Sequence, residues 1–257
     1  MNTFQIRSFW KYWLDAVDAH SLHSPFYFDF YEKVIREQGE DFDPVIEKLR
    51  EKLLTNPTPL LIKDLGAGSV HGRNERTIRE IAKTSLSPSK YSRLYARAIK
   101  HFGARNIIEL GTSLGINTLY LAHNGNSMVA TFEGSPAIAA VAKSTFEFAN
   151  ARNIELIEGD LANTLETWLG NHASIDFAFI DANHRLQPTL RYFEALIKHS
   201  HAGTVIVLDD IHYSEEMERA WQQLKAHPLV YGTADVWRAG FIFLDPSLNK
   251  QDVVLQF

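Results

Sequence analysis

The sequence predicts an α/β fold: a doubly wound, mostly parallel sheet of seven strands that ends in an antiparallel hairpin and follows a helical N-terminal extension. Two observations support this fold class. From Ser89 onward, amphipathic helical stretches alternate with short apolar runs, which is typical of a parallel sheet with helices on both faces. The 257 residues, 45% of them hydrophobic, are also enough to bury one such core.

Seven short apolar runs are the predicted strands. They cover residues 106–110, 128–132, 154–157, 175–180, 204–208, 230–236 and 241–244. The first is preceded by an amphipathic helix that starts near Ser89, and helices are predicted between the others at 114–122, 136–149, 161–169, 187–199 and 214–226. The last two strands are separated by Trp237-Arg-Ala-Gly240, which indicates a hairpin.

Residues 1–85 differ in composition from residues 86–257, and we predict a domain boundary near residue 85. Helical spacing recurs in two sets of mostly aromatic residues, Trp10, Trp13, Leu14 and Val17, then Tyr27, Phe30, Tyr31 and Val34. Each set predicts a helix with one buried face. We expect this extension to pack on the main domain; a wall of a substrate pocket and a homodimer interface are the alternatives.

Composition and charge exclude several classes of function. A net charge of −5 gives no basic stripe for binding phosphates, so nucleic acid is not an expected partner and a small molecule or protein is favoured. The absence of cysteine excludes disulfides, thiolate zinc sites and cysteine nucleophiles. No apolar run approaches the length of a membrane span, and Arg7, Lys11 and Asp15 interrupt the N-terminus, so we expect a cytoplasmic protein without a signal peptide.

A glycine loop follows the first predicted strand, in Glu109-Leu-Gly111-Thr-Ser-Leu-Gly115. Glycine allows a tight turn and a close approach of the backbone to a ligand, and the amides of the helix that begins there favour an anionic group. Glu133 lies 22 residues beyond Gly111, at the end of the second strand, where an acid can accept hydrogen bonds from ribose hydroxyls. The pair indicates a nucleotide-type site.

Polar residues also follow the next three predicted strands. They are Gly159-Asp160-Leu161, Asp181-Ala-Asn-His184 and Asp209-Asp210-Ile-His212. Ligands of open parallel sheets bind at the carboxyl ends of the strands, so we expect these residues and the glycine loop to form one site.

Together the five strand ends resemble the class I S-adenosylmethionine-dependent methyltransferases, and among them the small-molecule enzymes similar to catechol O-methyltransferase, over about residues 86–245. The resemblance implies the Rossmann-like methyltransferase fold, with the glycine loop at the methionine part of S-adenosylmethionine, Glu133 at the ribose hydroxyls and Asp160 beside the adenine. The implied cofactor-binding residues are Glu109, Gly111, Thr112, Ser113, Gly115, Asn117, Glu133, Gly134, Ser135, Asp160, Leu161 and Asp181.

The resemblance implies O-methylation of a small hydroxylated acceptor and leaves two ways to activate it. In metal-dependent relatives, oxygen ligands hold a divalent ion, and Asp181, Asp209 and Asp210 stand at the matching positions; magnesium, calcium or manganese would suit them. The family usually has an amide where Asp210 stands. His184 stands where relatives carry a catalytic lysine and is a candidate general base, with a structural hydrogen-bonding role as the alternative. His212 is a weaker candidate.

Two other functions are weighed against this one. A nicotinamide-dependent oxidoreductase is disfavoured because its fingerprint is Gly-x-Gly-x-x-Gly, whereas position 113 is serine. A non-catalytic module that only binds S-adenosylmethionine would not need the acidic residues at 181, 209 and 210.

A second glycine loop, Lys63-Asp64-Leu-Gly66-Ala-Gly68-Ser69, has the letters of a cofactor motif without its context. Position 88, 22 residues beyond Gly66, is a proline in a loop, and no βαβ unit surrounds the motif. We therefore expect a structural loop or lid, with a direct ligand contact as the alternative. Arg73, Arg76 and Arg79 are predicted to form a solvated helix face, or alternatively to bind an anionic substrate.

Overall fold

The structure is a computed structural model that describes residues 3–36, 44–62, 75–172 and 174–257. The helices are α1 (Thr3–Asp15), α2 (Pro25–Phe30), α3 (Pro44–Thr55), α4 (Ile78–Ser85), α5 (Ser89–Phe102), α6 (Ile116–Leu121), α7 (Pro136–Phe148), α8 (Leu161–Leu169), α9 (Leu186–Ile197) and α10 (Glu215–Lys225). A 3-10 turn, Ala19–Ser21, follows α1, and a π-helical turn, Tyr31–Arg36, continues α2.

The strands are β1 (Pro59–Leu61), β2 (Glu75–Thr77), β3 (Asn106–Leu110), β4 (Met128–Glu133), β5 (Ile154–Glu158), β6 (Ile175–Ile180), β7 (Ser200–Leu208), β8 (Gly232–Asp235), β9 (Gly240–Phe243) and β10 (Gln251–Val254). The first two form a separate antiparallel pair. The other eight form one mixed, mostly parallel sheet flanked by helices, which confirms the predicted fold class.

The sheet has one strand more than predicted. Strand β10 begins with the exposed polar residues Gln251 and Asp252 and buries Val253, so its short sequence carries little strand signal. It pairs in parallel with β8 at the edge of the sheet. The predicted extension likewise contains the short strands β1 and β2 in addition to its helices.

The chain divides into two compact units. The first comprises Met1–Gly39 and Ala173–Phe257, and the second comprises Glu40–His172. This grouping crosses the boundary predicted near residue 85, which stays a prediction.

In the first unit the strand order is β10-β8-β9-β7-β6. Strands β6 and β7 are parallel, whereas β9 is antiparallel to both β7 and β8. The predicted hairpin is therefore confirmed, and its turn, residues 236–239, lies beyond the register pair Asp235 and Gly240. In the second unit β3, β4 and β5 are consecutive and parallel, with Glu109 opposite Thr131 and Glu133 opposite Glu158.

Local sequence signals explain where the elements of the core begin and end. Strand β3 is an apolar run whose residues 107–110 are all buried. Helix α5 ends at Gly103, which has a φ of +65° and so suits a left-handed C-cap. Helix α10 begins at the N-cap Ser214, whose side chain accepts a hydrogen bond from the Met217 amide, and three glutamates in its first turn complement the helix dipole.

The N-terminal helix forms as predicted, but the prediction of its buried face is wrong. Trp10, Trp13 and Leu14 are 56%, 59% and 72% exposed. The helix instead buries Ser8 and Tyr12, and the Tyr12 hydroxyl donates to the Leu255 carbonyl at 2.7 Å. Aromatic residues occur on both faces of α1, so periodicity alone could not distinguish them.

The second predicted aromatic set is confirmed. Tyr27, Phe30, Tyr31 and Val34 are all buried, and the Phe30 ring packs edge-on against Phe241 and Phe243 of β9. This segment therefore belongs to the core of the first unit. Within the described parts of the chain, none of the helices combines the length and apolarity that a membrane span requires.

Candidate active site

The glycine loop after β3 adopts the conformation for which glycine is suited. Gly111 and Gly115 have φ angles of +107° and +82°. A Cβ atom at Gly115 would also lie 2.6 Å from the Phe146 ring. The loop is thus fixed by backbone geometry and by packing within its own unit.

Glu109 is completely buried beneath this loop and accepts three side-chain hydrogen bonds. Thr118 and Thr131 donate from their hydroxyls at 2.5 Å and 2.6 Å, and Asn117 donates from its amide at 2.9 Å. Burial raises the pKa of Glu109 to about 7, although the three donors favour the charged form. Glu109 therefore joins β3, β4 and α6 in one polar network.

Glu133, at the end of β4, fixes the loops on either side of it. Its two carboxylate oxygens accept backbone hydrogen bonds from Ser113 at 3.0 Å and from Ser135 at 2.9 Å. Burial raises the pKa of Glu133, and the backbone donors of Ser135, Ser113 and Gly134 oppose that rise. The carboxylate remains partly exposed, as an acceptor for ligand hydroxyls must be.

Of the other cofactor candidates, Thr112, Asp160 and Leu161 lie in the same unit as these two carboxylates, whereas Asp181 lies in the other unit. Thr112 is buried and shares a 2.6 Å hydrogen bond with Thr131. Asp160 is the N-cap of α8, where its side chain accepts from the Ala162 amide at 2.9 Å, and Leu161 begins that helix. Ser113 and Ser135 each contact Glu133 through their backbone amides.

Two buried polar atoms of this group have no hydrogen-bond partner in the part of the chain that the structure describes. They are Oδ1 of Asn117 and Oγ of Ser135. Buried polar groups are nearly always paired, so such atoms are ones that a ligand can satisfy. The sequence did not indicate Ser85, whose hydroxyl lies 2.7 Å from that of Ser113.

A second cluster of polar residues lies in the other unit, after the carboxyl ends of β6 and β7. It consists of Asp181, His184, Asp209 and Asp210 and is called the acidic group. Asp181, His184 and Asp210 each place a potential ligand atom within 4.8 Å of the others. Nε2 of His184 lies 3.4 Å from Oδ1 of Asp181. The structure thus joins three of the predicted catalytic and metal-binding residues.

Both carboxylate oxygens of Asp209 are already bound by Arg238. Asp209 is fully buried, and Arg238 donates to it from Nε at 3.0 Å to each oxygen and from Nη2 at 2.6 Å. The same Nη2 lies 3.4 Å from Oδ1 of Asp210. Burial and the charge of Asp209 raise the pKa of Asp210 to about 6, against the opposing effect of Arg238 and His184.

Arg238 was not predicted as a site residue, because it stands in a short hairpin connection between two strands. Its role depends on the register of β7, β8 and β9, which brings the hairpin turn beside the residues that follow β7. The one available signal was a charged side chain in a short turn next to buried strands.

Unusual backbone conformations mark both groups. Among the described residues, six non-glycine residues have positive φ angles, and five of them lie at these sites or in the hairpin turn: Ser113, Asn183, His184, Asp210 and Trp237. Such conformations cost free energy and are concentrated at functional sites. Asn150 is the sixth and ends the turn after α7.

His212 contacts Asp235 and Trp237 of the hairpin. Its Nε2 lies 2.8 Å from Asp235, and its ring stacks on Trp237 with centroids 5.1 Å apart. The structure therefore gives His212 a place in packing the hairpin turn.

The second glycine loop and Arg73 lie outside the described residues, so their predicted roles stay predictions. Arg76 donates to the Glu80 carbonyl and to the Thr84 hydroxyl of α4, whereas Arg79 is exposed. Arg79 thus lies exposed on helix α4, whereas Arg76 lies in strand β2 and not on the predicted helix face.

A family model described as a methyltransferase domain matches residues 108–211, which include the glycine loop, Glu133 and the acidic group. The match supports a class I S-adenosylmethionine-dependent methyltransferase. The expectation from the strand-end motifs is thereby confirmed, and the oxidoreductase alternative is not supported.

Two curated proteins that this chain resembles are catechol O-methyltransferases. The protein from Mycobacterium tuberculosis is 29% identical over 171 residues, which cover 65% of this chain and 72% of the relative. The protein from Niastella koreensis is 32% identical over 133 residues, which cover 49% of this chain and 58% of the relative.

Solved structures show the same fold. An O-methyltransferase from Bacillus cereus, in complex with S-adenosylhomocysteine, is 22% identical, with a TM-score of 0.59 over 83% of this chain and 99% of that one. An S-adenosylhomocysteine-bound methyltransferase from Podospora anserina is 15% identical, with a TM-score of 0.60 over 87% and 97% of the two chains. At these identities the likeness concerns the fold.

Proposed function

We propose that this methyltransferase transfers the methyl group of S-adenosylmethionine to an oxygen of a small hydroxylated molecule. The pairing of His184 with Asp181 is the observation that carries the proposal, because it provides a partly exposed base next to a carboxylate. The names of the two curated relatives support a catechol-like acceptor.

The residues of the glycine-loop group fit the cofactor. Glu133 is a carboxylate held by two backbone amides, as an acceptor for ribose hydroxyls needs to be. Oδ1 of Asn117 can accept a hydrogen bond that no described residue donates, and Oγ of Ser135 can donate or accept one. When bound, S-adenosylmethionine supplies a methyl group on a positively charged sulfur.

The acidic group would activate the acceptor. Transfer breaks the sulfur–methyl bond and forms an oxygen–methyl bond, and the acceptor hydroxyl must lose its proton. His184 is the base that we propose for this proton, and the Asp181 carboxylate would stabilise the imidazolium that results. Asn183 and His184 both have positive φ angles, and the Asn183 amide donates to the Tyr192 hydroxyl at 2.9 Å.

A divalent metal held by Asp181, Asp209 and Asp210 does not fit these residues. Both oxygens of Asp209 accept hydrogen bonds from Arg238, whose guanidinium also lies beside Asp210. A metal ion would have to displace that guanidinium or stand next to its positive charge. We therefore derive no catalytic step through a metal.

The N-terminal extension would help to form the acceptor side of the enzyme. Gln5 of α1 donates to the Tyr213 carbonyl at 3.0 Å, and the rings of Phe9 and Tyr12 pack against Trp237. Tyr213 in turn is half exposed, with its ring 6.0 Å from that of His184. A homodimer and a cytoplasmic location stay predictions from the sequence.

The test is a methylation assay with trideuteromethyl-labelled S-adenosylmethionine and a panel of catechols, single phenols and aliphatic alcohols, analysed by mass spectrometry. We expect label on an oxygen of at least one phenolic acceptor. Binding of the cofactor without any transfer over the panel would favour the non-catalytic module instead.

A further inference from the structure

Arg238 supplies a fixed positive charge to the acidic group that follows β6 and β7. Its guanidinium donates three hydrogen bonds to Asp209, at 3.0, 3.0 and 2.6 Å, and lies 3.4 Å from Asp210. The Asp209 side chain is fully buried, whereas that of Arg238 is 25% exposed. The arginine therefore lies between the buried carboxylate and the accessible one.

The backbone around Arg238 holds the guanidinium in this place. The Ile211 amide donates to the Arg238 carbonyl at 3.1 Å, which links the hairpin turn to the loop that carries Asp210. The neighbouring Trp237 has a φ of +71°, and its amide donates to Asp235 at 2.8 Å. Hydrogen bonds of the Trp237 and Arg238 backbones thus fix the turn that carries the guanidinium.

The acidic group has the charges of a cation-binding site, and the Arg238 guanidinium already supplies the positive charge. Three carboxylates lie near a guanidinium, which stays protonated at any physiological pH. A divalent ion bound to these carboxylates would lie close to the guanidinium, and in a partly buried environment the two positive charges would repel each other strongly. A divalent ion would compete with Arg238 for the same oxygens.

We propose that the Arg238 guanidinium takes the place of a divalent metal in this acidic group, so that the methyltransferase works without one. Arg238 is then a positioning residue that neutralises Asp209 and Asp210 and fixes their side chains beside His184. The inference rests on the proposed function for its catalytic meaning, but the occupancy of the acidic group can be measured without an acceptor.

The experiment is a titration with Mn²⁺ alone, followed by electron paramagnetic resonance. We expect no saturable binding of Mn²⁺ below millimolar concentrations in the wild-type protein. Arg238→Gln should bind Mn²⁺ roughly tenfold more tightly or better, because it exposes the carboxylates. Adding Asp209→Asn to that variant should remove the gain, and the exposed Arg191→Gln on α9 is the matched control for loss of one positive charge.

Micromolar Mn²⁺ binding by the wild-type protein would overturn the proposal, as would a folded Arg238→Gln variant whose affinity for Mn²⁺ is unchanged. Circular dichroism shows whether that variant folds. Where it does not, Arg238→Lys keeps the charge and should bind Mn²⁺ as weakly as the wild type; tight binding by either protein contradicts the proposal. Absence of methyl transfer to every acceptor, by contrast, would refute the proposed function without changing these titrations.

Discussion

Arg238 and Asp209 form a bidentate ion pair in which the carboxylate is fully buried and every hydrogen bond is 3.0 Å or shorter. Removing one partner of such a pair leaves an uncompensated charge in the protein interior. The pair therefore links stability to the arrangement of the active site.

Asp209→Asn should lower the free energy of unfolding by about 3 kcal/mol, because Arg238 then lacks its main counter-charge. Urea unfolding measures the change. Asp176→Asn is the control, since Asp176 pairs with the half-exposed His201 at 3.0 Å and should cost less than about 1 kcal/mol. Equal losses in the two variants would show that the buried pair has no special importance.

Glu133→Gln should weaken the binding of S-adenosylmethionine by roughly tenfold to a hundredfold, because one charged hydrogen-bond acceptor is lost. Isothermal titration calorimetry measures the affinity. Glu158→Gln is a matched control: Glu158 lies opposite Glu133 in the register of β4 and β5, is exposed, and pairs with Lys143. Affinities that stay equal in all three proteins would remove Glu133 from the cofactor site.

Glu109 should make the cofactor-free protein less stable as the pH rises. Burial raises its pKa in the folded state to about 7, above the value of 4.5 for an exposed glutamate, so the folded state binds the proton more tightly. The contribution of Glu109 to the free energy of unfolding is most favourable below pH 4.5, declines as the pH rises toward 7 and is constant above that.

We therefore expect the free energy of unfolding of Glu109→Gln, minus that of the wild type, to rise by on the order of 2 kcal/mol between pH 5 and pH 8. Urea unfolding at several pH values gives the difference between the two proteins. A difference that does not change with pH would contradict the raised pKa.

His184→Gln should lower kcat by roughly a hundredfold or more with little change in KM, because the base is lost while the site keeps its shape. Steady-state kinetics with the best acceptor of the panel measure both. His201→Gln removes a histidine from another His–Asp pair, at the start of β7, and should leave kcat unchanged. A normal kcat in His184→Gln would assign the base to another residue.

Much of this fold could be predicted from the sequence because parallel strands and their helices carry strong local patterns. Strand β3 and helix α8 begin and end at the predicted residues, since each is a short apolar or amphipathic run with clear limits. Strand β10 was missed because two of its four residues are exposed and polar. The buried face of α1 was predicted wrongly because aromatic residues lie all round that helix.

The candidate site was predictable only where its residues follow a strand directly. Glu133 and His184 were identified in this way. Arg238 comes from an antiparallel hairpin, and its contact with Asp209 depends on strand order and register, which composition and spacing do not reveal. The same contact decides which carboxylates remain open, so the predicted set of three aspartates could not be tested before the fold was known.

The most direct test of the central claim is calorimetric titration of the purified protein with S-adenosylmethionine, S-adenosylhomocysteine and NADH, each in chelator. We predict saturable micromolar binding of the first two and none of NADH. Binding of NADH in preference to both sulfur compounds, or binding of neither, would contradict it.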